Sequence, residues 1–257
     1  MIQEAARLRL DAVSLGYHGN PVVEGLSLDV EPGEVLVVVG PSGCGKSTLL
    51  RTIAGLLRPL SGTVAADGQD VTSPSADRAM VFQDDALLPW CTARRNVELP
   101  LALRGVPRDQ RRRSATEWLD RVGLAGHDQR LPGQLSGGMR QRVQLARALV
   151  GEPRAICMDE PFGALDAQTR ASMQRLLVQA WQTTGCTVVF VTHDVDEALA
   201  IGDRIAVLGP QGVAAQHRVP RPRDFGIGPD TRLRSTVVSD LASTRTHLPE
   251  HPSKAVA

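Results

Sequence analysis

The chain has 257 residues, enough to bury a sizeable core as one large α/β domain. Its formal net charge is +1 and no basic stripe stands out, so a nucleic-acid partner is disfavoured. We find no run of the ~20 apolar residues that span a bilayer and no secretory signal. The four cysteines contain no CxxC pair. We therefore expect a protein of the reducing cytosol.

Two amino-terminal segments alternate apolar with polar residues, which is typical of antiparallel strands with one face exposed to water. Their apolar positions are Leu8, Leu10, Leu15, Leu26, Leu28 and Val30. Tyr17, the only tyrosine, lies between the two segments in a predicted loop. It could cap the core, or it could stack on a nucleotide base.

A phosphate-binding motif of the form GxxxxGK[ST] follows the predicted buried strand Val35–Val39 and precedes a predicted helix from Ser47 to Leu57. In this arrangement backbone N–H groups surround phosphate oxygens at the positive end of a helix. Lys46 supplies a mobile positive charge, and the hydroxyl of Ser47 can ligate Mg²⁺. The motif therefore predicts a nucleoside triphosphate site formed by Gly40, Pro41, Ser42, Gly43, Cys44, Gly45, Lys46, Ser47 and Thr48.

The next predicted strand, Arg78–Phe82, places Gln83 at its carboxyl end, where ligands collect in open α/β sheets. Gln83 is therefore a candidate active-site residue, although a surface glutamine would give the same pattern. The apolar run Leu87–Trp90 then falls in a predicted loop. It is a candidate protein contact, or it could be buried under the helices that follow.

From about Asn96 to Val150 the pattern is helical, and it includes a basic helix from Arg108 to Val122 that we interpret as having a solvated face. A later helix begins at Ser136, a plausible N-cap, followed by Gly137 and Gly138. Free N–H groups at such a start form a second anion-binding site. One phosphate chain does not need two such sites unless the second serves a nucleotide held by another copy.

Two further buried strands end in residues that could carry chemistry. Asp159 and Glu160 follow the strand Ala155–Met158, and a carboxylate in this position lies near Mg²⁺ in phosphate-loop enzymes. His193 follows the strand Thr187–Val191 at the same predicted sheet edge. Glu160 could polarise a water molecule, whereas a lone histidine is more often structural.

The alternation of strands and helices predicts an α/β fold with a mainly parallel sheet, an amino-terminal antiparallel β subdomain and a helical subdomain inserted at about residues 90–150. Arg204–Leu208 is the last core strand that the pattern predicts. We expect the principal domain to span residues 1–220 and a carboxyl-terminal extension to span 221–257, with disorder after Thr244.

In combination these motifs closely resemble the ATP-binding cassette (ABC) subunits of membrane transporters, over about Leu8 to Leu208. Met139 stands where the generic signature has Gln, and related importer subunits accept this change. The matching motifs are Walker A at Gly40–Thr48, the Q-loop at Gln83, the family signature at Leu135–Gly138, Walker B at Ile156–Asp159, the catalytic glutamate at Glu160, the D-loop at Ala164–Asp166 and the switch histidine at His193.

The resemblance implies an ATPase in which two copies enclose two ATP molecules, each held by the phosphate loop of one copy and by Ser136, Gly137 and Gly138 of the other. It implies that Ser47 and Gln83 ligate Mg²⁺ with Asp159 in its outer shell. The remaining implied roles are a general base at Glu160, a γ-phosphate contact at His193, an adenine-stacking ring at Tyr17 and a nucleotide-site residue at Asp166.

A narrower likeness joins Phe82–Trp90, Phe162–Asp166 and Met173–Trp181 to subunits of taurine, aliphatic-sulfonate and nitrate importers, with taurine slightly ahead. It implies a homodimer bound to integral membrane permease subunits at the cytoplasmic face of the inner membrane, and served by a solute-binding protein. The alternatives are an importer of nitrate, bicarbonate or a thiamine precursor, a soluble cassette ATPase acting on ribosomes or DNA, and a regulator without turnover.

Overall fold

The computed structural model describes residues 4–84, 86–220, 223 and 230–245. Its strands are β1 (Leu8–Tyr17), β2 (Asn20–Val30), β3 (Val35–Val39), β4 (Ser61–Ala66), β5 (Gln69–Asp70), β6 (Arg78–Val81), β7 (Ala155–Asp159), β8 (Thr187–Thr192), β9 (Arg204–Gly209) and β10 (Gly212–Arg218). Its helices are α1 (Lys46–Ile53), α2 (Ala93–Leu103), α3 (Arg108–Arg121), α4 (Gly137–Leu149), α5 (Ala167–Thr184), α6 (Val195–Ile201) and α7 (Thr231–Arg245).

The strands form two sheets. A four-stranded antiparallel sheet has the order β2-β1-β4-β5, and a six-stranded sheet has the order β10-β9-β3-β8-β7-β6. In the larger sheet β9, β3, β8, β7 and β6 run parallel, and β10 pairs antiparallel with β9 at one edge. The predicted mainly parallel α/β sheet with an amino-terminal antiparallel part is confirmed.

The two faces of β3 belong to two separate hydrophobic clusters. Val35, Val37 and Val39 face the helices that follow β6 in the chain. Leu36 and Val38 face α1 and the four-stranded sheet. Because successive side chains of a strand point to opposite faces, an apolar strand can fill both clusters at once. This burial fixes the carboxyl end of β3, from which the phosphate loop leaves.

Between β6 and β7 the described residues form no strand. Helices α2 and α3 are followed by a short 3-10 turn (Pro132–Gln134) and then α4, and α2 packs against both α3 and α4. The predicted subdomain boundaries and the division at residue 220 stay predictions. Within the described residues, we find no helix with the length and apolar character that a membrane crossing requires.

Three local expectations differ from the structure. Helix α1 ends at Ile53, short of the expected Leu57, because Gly55 adopts a φ of +79° and its amide donates to the carbonyl of Thr52. Tyr17 is the last residue of β1 and not a loop residue. After Arg204–Leu208, where the pattern fades, the structure has two further elements, β10 and α7, and Val237 of α7 is fully buried.

The tail expected to be disordered after Thr244 lies, beyond Arg245, outside the described residues.

Candidate active site

The phosphate loop (Gly40–Thr48) connects β3 to α1. Gly45 is the N-cap of α1 with a φ of +93°, and no side chain of the described residues caps this helix end. The first N–H groups of a helix have no partner within it, so they remain available to an anion. The ammonium of Lys46 donates to the carbonyls of Gly40 at 2.9 Å and Pro41 at 3.1 Å, which holds its charge inside the loop.

Close packing explains two of the loop glycines. A Cβ on Gly45 would lie 2.5 Å from Cγ2 of Val23 in β2, and a Cβ on Gly40 would lie 2.7 Å from the carbonyl oxygen of Leu208. Cys44 is buried in the same loop, with its Sγ 2.6 Å from where a Cβ on Gly40 would lie, and burial raises the pKa of its thiol. The loop therefore packs closely against β2 and β9 because Gly45 and Gly40 have no side chain, and a larger residue at either position would clash.

An oxygen pair lies at the start of α1. The hydroxyl of Ser47 donates to Oδ1 of Asp159 at 3.0 Å. Asp159 is buried at the carboxyl end of β7, and burial raises the pKa of this carboxyl although the Ser47 bond opposes the rise. Hydroxyl and carboxylate oxygens are the ligands that Mg²⁺ prefers, and such a site needs few protein ligands when phosphates supply the rest.

Glu160 lies beside this pair and between two nitrogens. Its Oε2 is 2.9 Å from Nδ1 of His193, and its Oε1 is 4.0 Å from Nζ of Lys46. The backbone of Glu160 is in the left-handed region with a φ of +42°, and its amide donates to the carbonyl of Val191 at 3.0 Å. Carboxylate, imidazole and ammonium thus meet at the carboxyl ends of β7, β8 and β3, as the sequence predicted.

Tyr17 and Gln83 are the outer residues of the predicted set. The Tyr17 side chain is 40% exposed, and its hydroxyl accepts a hydrogen bond from Nη1 of Arg51 on α1 at 3.1 Å. Its ring is therefore available at the surface beside the helix that begins with the phosphate loop. Gln83 is exposed just beyond the end of β6.

The second predicted anion site lies at the start of α4. The Ser136 hydroxyl accepts from the amide of Met139 at 3.3 Å, which confirms it as an N-cap, and Gly137 is exposed next to it. Helix α4 packs against α2, α3, α5 and β6, whereas α1 packs against β1, β7 and β8. The two anion-binding helix starts therefore belong to different parts of the fold.

Asp166 has a structural task in this chain. Its carboxylate caps α5 by accepting from the amide of Thr169 at 3.0 Å and from its hydroxyl at 2.7 Å. These bonds lower the pKa of Asp166. A contact of Asp166 with nucleotide stays a prediction.

Sequence reasoning missed the residues that hold the segments around Gln83 and Trp90. Gln144 and Arg147 of α4 donate to backbone carbonyls on either side of Gln83. Asn96 of α2 is fully buried and bonds the amide and carbonyl of Leu88, which leaves Leu87 buried and Trp90 73% exposed. A polar residue among the apolar positions of a helix is the one sequence signal that could have indicated them.

Comparisons with known proteins agree with this geometry. The sequence pattern of the family described as "ABC transporter" matches residues 23–163. The chain is 48% identical over 254 residues to the Taurine import ATP-binding protein TauB of Chromobacterium violaceum, covering 93% of this chain and 97% of that protein. It is 50% identical over 215 residues to the protein of the same name from Pseudomonas savastanoi pv. phaseolicola, covering 82% of each.

Two solved structures are also similar to this chain. One is a dimeric structure of MJ0796, a bacterial ABC transporter cassette, with a TM-score of 0.75 and 34% identity over 83% of this chain and 99% of that chain. The other is a dimeric post-hydrolysis state of the same cassette bound to ADP and Pi, with a TM-score of 0.74 and 34% identity over the same shares of the two chains.

Proposed function

Since the chain belongs to the ABC transporter family, we propose that it is the ATP-hydrolysing subunit of an importer and that the imported solute is taurine. The family assignment made from the motifs is confirmed by the comparisons. The two named relatives reported above are taurine import subunits, which supports taurine ahead of aliphatic sulfonates, nitrate, bicarbonate or a thiamine precursor.

The observation that carries the proposed hydrolysis is the position of the Glu160 carboxylate between His193 and Lys46. Glu160 is the general base, and one of its carboxylate oxygens accepts a proton from the attacking water. His193 orients that carboxylate through the contact of 2.9 Å between its Nδ1 and Oε2 of Glu160. Lys46 places its positive charge 4.0 Å from the same carboxylate, where the charge of a transferring phosphoryl group develops. The exposed ring of Tyr17 stacks on adenine.

The residues at the start of α1 fit a magnesium ion. Ser47 shares a hydrogen bond of 3.0 Å with Asp159, so a hard cation could bind the Ser47 oxygen with Asp159 in its outer shell, and Gln83 could supply a second ligand from the end of β6. Among the described residues no three His, Cys, Asp or Glu side chains cluster as a metal site. This agrees with a cation bound chiefly through substrate phosphates, where it would neutralise their negative charge.

We further propose that two copies form the working unit. The start of α4 offers free N–H groups at Gly137 and Gly138, yet α4 packs away from α1 within one chain. A second copy would bring Ser136, Gly137 and Gly138 onto the nucleotide held by the first. The similar cassettes with 34% identity are described as dimeric, which supports this arrangement.

The membrane partner would contact the exposed loop that carries Trp90. An exposed tryptophan held by a buried neighbour is typical of a residue that anchors a protein interface. We propose that this loop meets permease subunits at the cytoplasmic face of the inner membrane, where the chain is peripheral. A solute-binding protein would deliver taurine to the permease from the other side.

The test combines one variant with one control. Glu160→Gln should lower ATP turnover by about 10²- to 10⁴-fold while ATP still binds and the dimer accumulates. Glu152→Gln is the matched control, since Glu152 also has a left-handed φ, of +49°, but precedes β7 and so lies at its amino end. Wild-type turnover in Glu160→Gln would refute the role of the base.

The solute is tested separately, with the chain, its permease and the solute-binding protein in proteoliposomes. ATP-dependent uptake of taurine that excess nitrate does not compete away is the expected result. Failure of taurine uptake alongside uptake of nitrate would overturn the solute assignment but not the ATPase. Co-sedimentation with ribosomes in place of membranes would support the soluble cassette ATPase.

A further inference from the structure

Three alternate backbone carbonyls beyond β6 are held by one helix. The side-chain amide of Gln144 on α4 donates to the carbonyls of Phe82 and Asp84, both at 3.0 Å. Arg147, three residues further along the same helix, donates through Nη1 to the carbonyl of Ala86 at 2.9 Å. Residues three apart lie on the same face of a helix, so α4 presents both donors to one segment.

The position of β6 explains why side chains, and not another strand, bond the carbonyls that follow it. It is the edge strand of the six-stranded sheet and pairs with β7 only up to Val81. Beyond Val81 the chain bends at Gln83 and Asp84, and the carbonyls of Phe82 and Asp84 both meet the amide of Gln144 in place of a neighbouring strand. The side chain thus continues the hydrogen bonding past the end of the β-sheet.

Gln144 is well suited to this role. Its side chain is 2% exposed, and both N–H groups of the amide are used on carbonyls that flank Gln83. A buried amide that lost these partners would leave polar groups unsatisfied, so the arrangement fixes both the side chain and the segment. Gln83 itself remains exposed between the two bonded residues.

We propose that Gln144 is a positioning residue that couples the start of α4 to Gln83. The inference rests on the proposed function, in which the start of α4 binds the nucleotide of the partner copy. Gly138 and Gln144 are separated by roughly 9 Å along one continuous helix, because each residue advances it by about 1.5 Å. A shift of the helix on the partner's nucleotide therefore moves the segment that carries Gln83 in the chain's own site.

The experiment replaces Gln144 with methionine, which keeps the length and packing of the side chain and removes both donors. Trp181→Phe is the control, since it removes one N–H donor that bonds the carbonyl of Cys186 at 3.0 Å, near the amino end of β8. Gln144 bonds carbonyls of this segment and not its amides, so hydrogen–deuterium exchange of a peptide covering residues 82–88 measures how readily the segment opens, and ATP turnover measures the consequence.

Gln144→Met should speed exchange in that peptide roughly tenfold to a hundredfold, as expected for the loss of two neutral hydrogen bonds. It should lower kcat about tenfold through misplacement of Gln83, with ATP affinity unchanged and the Hill coefficient for ATP falling towards one. Trp181→Phe should change neither measurement.

Exchange at the wild-type rate in Gln144→Met, or faster exchange with unchanged kcat and Hill coefficient, would overturn the inference. The exchange measurement does not depend on turnover, so it decides the role of Gln144 in holding this segment even if the unmodified chain failed to hydrolyse ATP. Such a failure would overturn the proposed function instead, and with it the coupling.

Discussion

Replacing Gly45 with alanine tests how tightly the phosphate loop is packed against β2. Gly45 and Gly43 both have a left-handed backbone, with φ of +93° and +81°. A Cβ on Gly43 would meet nothing within 4 Å, whereas a Cβ on Gly45 would lie 2.5 Å from Cγ2 of Val23. The two substitutions therefore share the backbone strain and differ in the steric clash.

The two costs can be worked separately. Alanine in a left-handed conformation costs about 1–2 kcal/mol, so Gly43→Ala should lower the free energy of unfolding by that amount. Overpacking a buried site costs a further 1–3 kcal/mol or so, and Val23 cannot turn away easily because its branched side chain is fully buried and stiff. Gly45→Ala should therefore cost about 2–5 kcal/mol in all.

Urea unfolding of the single variants and of a Val23→Ala/Gly45→Ala double variant measures these terms. Because Val23→Ala removes the clashing methyl group, the double variant should be more stable than the sum of the single effects predicts, by about 1–3 kcal/mol. Equal stability of Gly45→Ala and Gly43→Ala, or strict additivity in the double variant, would refute the packing argument. ATP affinity should fall more in Gly45→Ala, since the clash moves the loop amides.

Three further results are expected. Lys46→Ala should weaken ATP binding at least about tenfold in calorimetry, because a charged hydrogen-bond donor to phosphate is lost, and unchanged affinity would count against its role. Trp90→Ala should leave unfolding free energy within about 0.5 kcal/mol of wild type but reduce permease-dependent uptake, whereas Leu103→Ala, at a site 81% exposed, should do neither. Burial raises the pKa of Glu197 above its ordinary 4.5, so the folded carboxyl keeps a proton that the unfolded chain has released, and stability falls as pH rises through that pKa. Glu197→Gln should accordingly raise the free energy of unfolding at about pH 7 but not below about pH 4. Urea titrations at the two pH values measure this, and equal effects at both would contradict a raised pKa for Glu197.

The sequence predicted the strands and helices whose own apolar residues show which faces are buried. The five apolar residues of Val35–Val39 indicate a strand with two buried faces, and the structure buries both. The seven residues of β10 carry no such pattern, because this strand lies at a sheet edge and every residue after Gly212 is partly or fully exposed. Helix α7 differs, since Leu233, Val237 and Leu241 recur four residues apart on one helix face and the sequence analysis did not use this spacing.

The candidate site likewise contains residues that the sequence predicted and residues that it did not. Lys46, Asp159 and Glu160 follow strand ends, and parallel strands bring their carboxyl ends to one edge, so their meeting could be predicted. The role of Gln144 could not be predicted, because its partners are backbone carbonyls about sixty residues away. Every residue has such a carbonyl, so the sequence does not indicate which ones Gln144 bonds. Sequence patterns indicate which groups can react, whereas contacts between distant segments decide what holds them in place.

Two residues of the reactive centre, Asp159 and Glu160, lower the stability of the fold. Glu160 has a left-handed backbone, which costs about 1–3 kcal/mol for a residue other than glycine. Burial and the neighbouring charge of Glu160 both raise the pKa of Asp159, so keeping it ionised opposes folding. A ligand that carries positive charge to Asp159 and negative charge to Lys46 would offset the cost of ionising Asp159 on binding. The charge of Asp159 thus lies where a bound ligand can compensate it, so the cost that this carboxylate brings to the empty fold is offset in the nucleotide-bound state.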